Sequence, residues 1–411
     1  MKIRRLVPGL VAAALWAGAC RVTPQREEGG AEWVWESRHL STTDGSLPPA
    51  NGGSQQTATA VFDVNGDGVT DFLVAERTQA PAVVGFLRTG SGWERYVVEA
   101  EALPIEAGSA VADIDGDGDL DVVFGGDASS NQVWWWENPG PELRPDRPWV
   151  RRLIKDSGEN KHHDQLFGDF DGDGRQELVF WNQGARALMW AEIPEHPRET
   201  EPWSWRPVYR YSNDAEPLQR GSYPPWKGVN EHEGLARADL SGDGIDDIVG
   251  GGRWFQWEPD GGVTVRDIDP GYAFSRVAAG RLMPGPRPQV VMAAGDGVAP
   301  LILYVEGDGV WTPRVLVESV RDGHSLDVVD LDGDGHLDIF YAEMQLGGNP
   351  RPRAVVLRGD GQGSFHEHEL VTGFGMHEAR IADLDGDGDL DLLGKPYTWQ
   401  APRLDIWLQR P

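Results

Sequence analysis

The amino-acid sequence predicts an all-β fold, a seven-bladed β-propeller with four strands per blade. Three observations lead there. One acidic nonapeptide occurs six times, and short apolar runs flank the copies at similar offsets. Gly (53) and Pro (29) make up about a fifth of the 411 residues, which suits many short strands joined by tight turns, and long periodic helical stretches are absent beyond the N-terminus.

The nonapeptide reads DVNGDGVTD at 63–71, DIDGDGDLD at 113–121, DFDGDGRQE at 169–177, DLSGDGIDD at 239–247, DLDGDGHLD at 330–338 and DLDGDGDLD at 383–391. Successive copies start 50, 56, 70, 91 and 53 residues apart. The gap of 91 is nearly two periods, so one unit has lost its loop. Residues 275–295 (SRVAAGRLMPGPRPQVVMAAG) keep the flanking apolar runs but replace the acidic loop with Gly and Pro. They make the fifth blade, expected to lack calcium.

Each unit supplies four strand candidates. An apolar run precedes the loop, as at 58–62 and 326–329, and another follows it, as at 72–74 and 339–341. A third is often Trp-bearing, as in VWWWEN at 133–138, and a fourth tends to open on an aromatic, as in WERYVV at 93–98. Runs of this length rich in Val, Ile, Trp and Tyr read as strands. The recurrence of Trp at one strand position favours packing between blades over stacking on a sugar. The N-terminal run EWVWESRHL at 32–40 reads as an isolated fourth strand, and RLDIWL at 403–408 as a third strand lacking its partner. Joining the two closes the ring and removes the open sheet edge.

Residues 1–20 carry a basic start (Lys2, Arg4, Arg5) and an apolar stretch from Leu6 to Ala17 too short to span a bilayer as a mature helix. Ala17-Gly18-Ala19-Cys20 resembles the lipobox of bacterial lipoproteins, which usually carry Leu where this chain has Ala17. The resemblance implies a signal peptide at 1–19, cleavage before Cys20 and acylation of Cys20. The competing reading is an ordinary secretory signal. The lipoprotein is favoured because Cys20 is the sole cysteine and sits where the lipid would go. Residues 20–31 then form the acylated tether, residues 32–411 the propeller, and the protein is expected in the cell envelope, extracytoplasmic, held to a membrane by its lipid alone. No cysteine is left for a disulfide.

The formal net charge is -29. Binding to phosphate backbones needs clustered Lys and Arg, so nucleic acid is not an expected partner. Many of the carboxylates fall in the repeated loop, which points instead to bound cations. Side-chain oxygens alternate at positions one, three and five. Gly at positions four and six lets the backbone wrap closely. Position seven can give a carbonyl, and a carboxylate at position nine can close the shell. The expected ligands are Asp63, Asn65, Asp67 and Asp71; Asp113, Asp115, Asp117 and Asp121; Asp169, Asp171, Asp173 and Glu177; Asp239, Ser241, Asp243 and Asp247; Asp330, Asp332, Asp334 and Asp338; and Asp383, Asp385, Asp387 and Asp391. Six or seven hard oxygens around one ion suit calcium, about six ions in all. Glu177 and Ser241 depart from the pattern, so their loops are expected to bind more weakly. An EF-hand shares the opening of the motif but needs Glu at position twelve, where this chain has Val74, Phe124, Phe180, Gly250, Tyr341 and Gly394.

These loops and their flanks resemble the FG-GAP/VCBS-type repeats of integrin α-subunit heads and many bacterial surface proteins, over roughly residues 32–411. The resemblance implies loops that join the innermost strand of a blade to the next, with mainly structural calcium. It says little about function.

A second constellation lies five to seven residues upstream of the loops: His162 and His163, His232 and Glu233, His324, and His377 with Glu378. These segments are expected to precede the first strands of four blades, at the face opposite the loops. Residues just after the second strands, among them Glu76, Asp127, Asn182, Arg253, Glu343 and Lys395, with Tyr397 close behind, should converge on the same channel mouth. Three readings compete. The polar residues line a solvated entrance; or His163, His232, Glu233, His324, Glu343, His377 and Glu378 supply a site for one transition metal or another ligand; or the cluster is catalytic, with His324, His377, Tyr397 and Lys395 as candidates for proton abstraction and enolate stabilisation. The leading functional reading is a calcium-stabilised, membrane-anchored binding or scaffold module for a carbohydrate or protein partner. The alternative is a polysaccharide lyase or sugar dehydratase at the channel mouth.

Overall fold

Alternating and fully apolar strand patterns need a partner on both faces, and a ring of sheets provides one. The computed structural model describes residues 33–140, 143, 148–212 and 231–410. The expected signal peptide and the Cys20 tether lie outside them. The described residues form seven antiparallel four-stranded sheets. Blade I comprises Gln56–Phe62, Asp71–Glu76, Val83–Thr89 and Gly92–Glu99. Blade II comprises Ala110–Ala112, Asp121–Gly125, Val133–Glu137 and Val150–Lys155, and blade III His162–Gly168, Glu177–Asn182, Ala187–Glu192 and Trp205–Arg210. Blade IV comprises Ala236–Ala238, Asp247–Gly250, Arg253–Trp257 and Val263–Asp267, and blade V Ser275–Gly280, Gln289–Ala294, Val298–Gly307 and Val310–Arg321. Blade VI comprises Ser325–Val329, Asp338–Ala342, Arg353–Gly359 and Phe365–Thr372.

Blade VII closes the ring with strands from both ends of the chain. Arg380–Ala382, Asp391–Gly394 and Asp405–Gln409 are completed by Ser37–Ser41 as the outer strand. The register runs from Ser37 opposite Gln409 to Ser41 opposite Asp405. His39 stacks on Trp407 at 4.9 Å and places its Nε2 2.7 Å from Asp405 Oδ1. The expected joining of the two terminal runs is therefore the observed one, and it leaves no unpaired edge on the third strand.

The core sits between blades. Successive residues of a strand face opposite sides of the sheet. In the run Trp134-Trp135-Trp136, the outer two pack with Leu73 and Val83 of blade I, and Trp135 packs with Leu178 and Phe180 of blade III. Trp190 of blade III stacks on Trp257 of blade IV at 4.1 Å. The seam between blades VII and I is filled by Leu393, Ile406 and Leu408 against Phe72, Val84 and Phe86. The recurrent Trp residues are thus interblade packing.

Each acidic loop joins the first strand of a blade to its second, and in blade V residues 281–288 make that connection. The first strands pack against each other at the seams I–II, II–III, IV–V, V–VI, VI–VII and VII–I. The loops therefore share one rim of the ring, and the starts of the first strands share the other. Among the described residues no helix is long and apolar enough to cross a membrane.

The closure gives a direct test. Ile406 is fully buried in the seam. Ile406→Ala is expected to lower stability by about 2–5 kcal/mol, read from urea unfolding; an unchanged midpoint would mean that the seam is not a stabilising contact.

Candidate functional site

The loops are shaped by their first aspartate. In the first loop Asp63 Oδ1 accepts from Gly66 N at 2.8 Å and Asp67 N at 3.1 Å, while Oδ2 accepts from Gly68 N at 2.7 Å. The same bond from the sixth-position glycine recurs at Asp113, Asp169, Asp239, Asp330 and Asp383, at 2.9 to 3.1 Å. It requires left-handed backbone, and Gly66 (φ 71°) and Gly68 (φ 87°) adopt it. The residue at position two is apolar and buried in every loop, from Val64 to Leu384. It anchors the turn to the blade.

The ninth position has a second task. Asp391 Oδ2 accepts from Leu384 N and Oδ1 from Gln409 N, both at 2.7 Å. Asp338 likewise holds Leu331 N and Gly359 N, Asp121 holds Ile114 N and Asn138 N, and Asp71 holds Val64 N and Arg88 N. Glu177 and Asp247 bind loop amides in the same way. This carboxylate therefore pins its own loop, and in four blades it also pins the end of the third strand. Burial, with the neighbouring loop carboxylates adding to it, pushes Asp71 and Asp338 up to about 6, Glu177, Asp247 and Asp391 up to about 7, and Asp121 up to about 8.

Blade V performs the same bond without charge. Gln289 opens its second strand, and its Oε1 accepts from Met283 N at 3.0 Å beside the buried Leu282. A neutral amide replaces the carboxylate in the one blade that lacks the acidic loop.

The donor set fits a hard cation. Asp113, Asp115 and Asp117 bring carboxylate oxygens within 4.8 Å of one another, as do Asp169, Asp171 and Glu177; Asp330, Asp332 and Asp338; and Asp383, Asp385 and Asp391. Asn65 and Ser241 put neutral oxygens at position three of the other two loops. Buried carboxylate oxygens of Asp169, Asp330 and Asp385 have no hydrogen-bond partner. Two loops also draw guanidinium groups, Arg198 to Asp115 and Asp117 at 2.8 and 2.5 Å, and Arg358 to Asp332. Oxygen donors and crowded negative charge are a set that can hold a hard cation.

At the opposite rim lies a cavity of about 500 Å³. His163, Glu233, His324, His377 and Tyr397 line it together with Arg77, Glu106, Asp127, Lys161 and Asp296. His163 Nε2 lies 3.3 Å from Glu233 Oε1, and His324 Nε2 lies 3.5 Å from Glu233 Oε2. His377 stacks on His324 at 4.4 Å, and Tyr397 on His377 at 4.9 Å. Behind them Arg276 bridges two buried acids, lying 2.7 Å from Asp164 Oδ1 and 3.2 Å from Glu378 Oε1. Asp164 in turn lies 2.7 Å from His163 Nδ1.

Local backbone explains the aim of these groups. His162 and His163 lie inside the first strand of blade III, not before it as the sequence suggested, because a bulge between His163 and Gln165 lengthens that strand. The bulge residue Asp164 has φ 47° and Glu378 φ 54°, left-handed values that cost energy in a residue with a Cβ. Gly234 (φ 70°) follows Glu233, and a Cβ there would meet Ser275 O at 2.5 Å. Only glycine lets Glu233 approach the channel at that point.

Burial opposes a charge on His163, but Glu233 and Asp164 outweigh it and push that imidazole up to about 10. Burial would raise Asp164, yet Arg276 and His163 hold it well below the usual carboxylate range. Burial, aided by His324 and Lys395, keeps His377 neutral.

Several expected members stand apart. His232 is buried against Tyr211, with ring centroids 3.6 Å apart, and burial lowers it to about 3. It belongs to the aromatic packing of blades III and IV. Glu343 accepts from Arg321 N and Arg353 N and acts as a strand clamp. Lys395 is buried, which lowers it to about 7, and its Nζ donates to the carbonyls of Gln56, Thr57 and His377, tying blade VII to blade I. It is not among the residues that line the cavity, and its Nζ lies 3.4 Å from His377 Nδ1. Glu378 lies behind His324 and pairs with Arg276 and Arg380. Of the residues after the second strands, Asp127 and Tyr397 line the cavity, and Glu76, Asn182 and Arg253 do not. Asp164, Arg276 and Gln289 escaped the sequence reading. An arginine inside the apolar run of the loop-less blade was the available signal for Arg276.

Residues 113–180 and 330–394 match the FG-GAP-like repeat. Over 304 residues the chain is 25% identical to integrin alpha pat-2 of Caenorhabditis briggsae, covering 68% of this chain and 21% of that protein. The chain thus spans about a fifth of that relative's length. Among solved structures, the BP39L lectin from Burkholderia pseudomallei superposes with a TM-score of 0.51 at 14% identity, covering 87% of this chain and 96% of that one. The V. cholerae biofilm matrix protein Bap1 gives 0.48 at 11% identity, covering 87% and 88%. At these identities the structural likeness is one of fold.

The dual bonding of the ninth carboxylate is separable from cation binding. In excess chelator Asp391→Ala is expected to destabilise by about 3 kcal/mol through its two lost charge-assisted bonds, whereas the exposed Asp387→Ala changes little. Equal chelator-state melting temperatures for the two variants would remove the structural role assigned to Asp391.

Proposed function

We propose that this seven-bladed β-propeller of FG-GAP-like repeats is a calcium-stapled binding module of the cell envelope, anchored through Cys20, that holds a carbohydrate or protein partner at the channel mouth. The observation that carries the reading is the concave, charged cavity of about 500 Å³ at the rim opposite the loops. Convergent polar groups in a preformed concavity are the ordinary form of a ligand site. Arg77, paired with Glu106 at 2.9 Å, and Lys161, paired with Glu231 at 2.6 Å, line it beside Asp296, and a wall of charged pairs favours a hydroxyl-rich ligand.

Calcium at the loops would supply the rigidity. Position-one, -three and -five oxygens and the ninth carboxylate would hold each ion, and the ion would offset the charge that burial penalises there. The loops with Glu177 and Ser241 depart from the pattern and would bind more weakly. The lipid on Cys20 would set the propeller close to a membrane.

A second reading, a sugar lyase or dehydratase, draws on the stacked His377 and Tyr397 at the cavity wall. Turnover of a uronate-containing polysaccharide, lost in Tyr397→Phe while binding persists, separates it from the binding module.

Two outcomes test the proposal. Each loop ion bound only to the folded state adds about 2.7 kcal/mol at a hundredfold excess over its dissociation constant, so excess chelator is expected to lower the melting temperature by more than ten degrees, restored by calcium. An identical melt with and without chelator contradicts the staple. Arg77→Ala with Lys161→Ala is expected to weaken retention on envelope polysaccharide at least tenfold while leaving the calcium-dependent melt unchanged; full retention would place the partner elsewhere.

A further inference from the structure

We infer that His163, Glu233 and His324 form a site for one divalent first-row transition ion, of the zinc class, with an open coordination position facing the cavity. The site is distinct from the calcium loops by its place, its nitrogen ligands and its burial. The inference deepens the channel-mouth reading and rests on it for what occupies the open position; the metal itself is argued from the three side chains.

Their ligand atoms lie within 4.8 Å of one another, and each residue is buried. Two atoms bound to one tetrahedral ion at about 2.1 Å stand about 3.4 Å apart. The distances of 3.3 Å from His163 Nε2 to Glu233 Oε1 and 3.5 Å from His324 Nε2 to Glu233 Oε2 already have that size. Glu233 stands between the two imidazoles and can meet one ion with either oxygen. Glu233 Oε2 is buried without a hydrogen bond.

The surroundings are those of a metal-binding histidine. A ligating imidazole ordinarily gives its other nitrogen to a carboxylate, which fixes tautomer and ring orientation. His163 Nδ1 has Asp164 Oδ2 at 2.7 Å. His324 Nδ1 is buried without a hydrogen bond and faces Glu378 Oε1 at 3.9 Å, an oxygen that Arg276 pairs at 3.2 Å. Arg276 holds both acids in place from one guanidinium, and Asp164 Oδ2 is also fixed by Gly234 N at 2.9 Å. Asp164 sits on left-handed backbone, so the chain accepts strain at the place where the His163 ring is oriented. Three protein ligands and a cavity on the remaining side leave room for water or an oxygen of a bound ligand, as in open zinc sites. Nitrogen donors select such an ion over calcium.

The test uses the full chain with calcium in millimolar excess, so that the loops are saturated. Zinc is titrated by calorimetry and cobalt(II) by visible absorption. The expected result is one zinc per chain, with a cobalt spectrum of four- or five-coordinate character. His163→Ala and His324→Ala are each expected to weaken binding at least a hundredfold, and Asp164→Asn by about ten- to a hundredfold. The melt in calcium reports whether each variant is folded. If a variant is not, the wild-type cobalt spectrum still decides, because a hexa-aquo-like spectrum excludes the three-ligand site. Absence of stoichiometric zinc, or zinc binding unaltered in folded His324→Ala, overturns the inference. Neither result touches the calcium-dependent melt, so failure here is distinct from failure of the loop staple.

Discussion

Six carboxylates that open the second strands carry more of this structure than any other group. Each is buried, and each accepts amides from its own loop. Four of them also reach the end of the third strand. Burial penalises their charge, which pushes them up, from about 6 at Asp71 to about 8 at Asp121. A blade can meet that penalty with a cation or by avoiding the charge. Blade V avoids it, with Gln289 making the loop bond as a neutral amide. The acidic loop and the glutamine are two answers to one requirement, that the turn between the first two strands be tied to the sheet.

Once those turns are tied, the opposite rim is positioned as well. The first strands pack around the axis, so a turn fixed at one end fixes the strand start at the other. This brings His163 of blade III, Glu233 before blade IV, and His324 before blade VI to one cavity wall. Arg276 of blade V then joins Asp164 to Glu378 across the channel. Buried acids and imidazoles of this kind are costly unless paired. Here Asp164 and Glu378 are both answered by Arg276, and Glu233 faces His163 and His324, in each case across blades, which ties the rim to closure of the ring.

The sequence showed the fold because the fold is periodic. The nonapeptide marks the same turn six times, the gap between 239 and 330 betrays the missing loop, and the unpartnered runs at the two ends predict their own pairing. Propeller topology also told which residues reach the channel rim. It could not tell which way each would face. His162 and His163 are adjacent, yet one packs beside Phe180 at 5.8 Å and the other meets Glu233, because side chains alternate across a strand. Lys395 and Glu343 reach the rim but find backbone partners first. The bulge at Asp164 and the role of Arg276 depend on contacts across 70 and 112 residues of chain, which no local pattern announces.

Calcium in the acidic loops is the proposed staple of the ring. Elemental mass spectrometry of the purified chain, after exhaustive dialysis against metal-free buffer containing a little calcium, tests that most directly. About six calcium ions per chain are expected, falling by one in Asp383→Ala. A chain that retains no calcium while keeping its fold would contradict it.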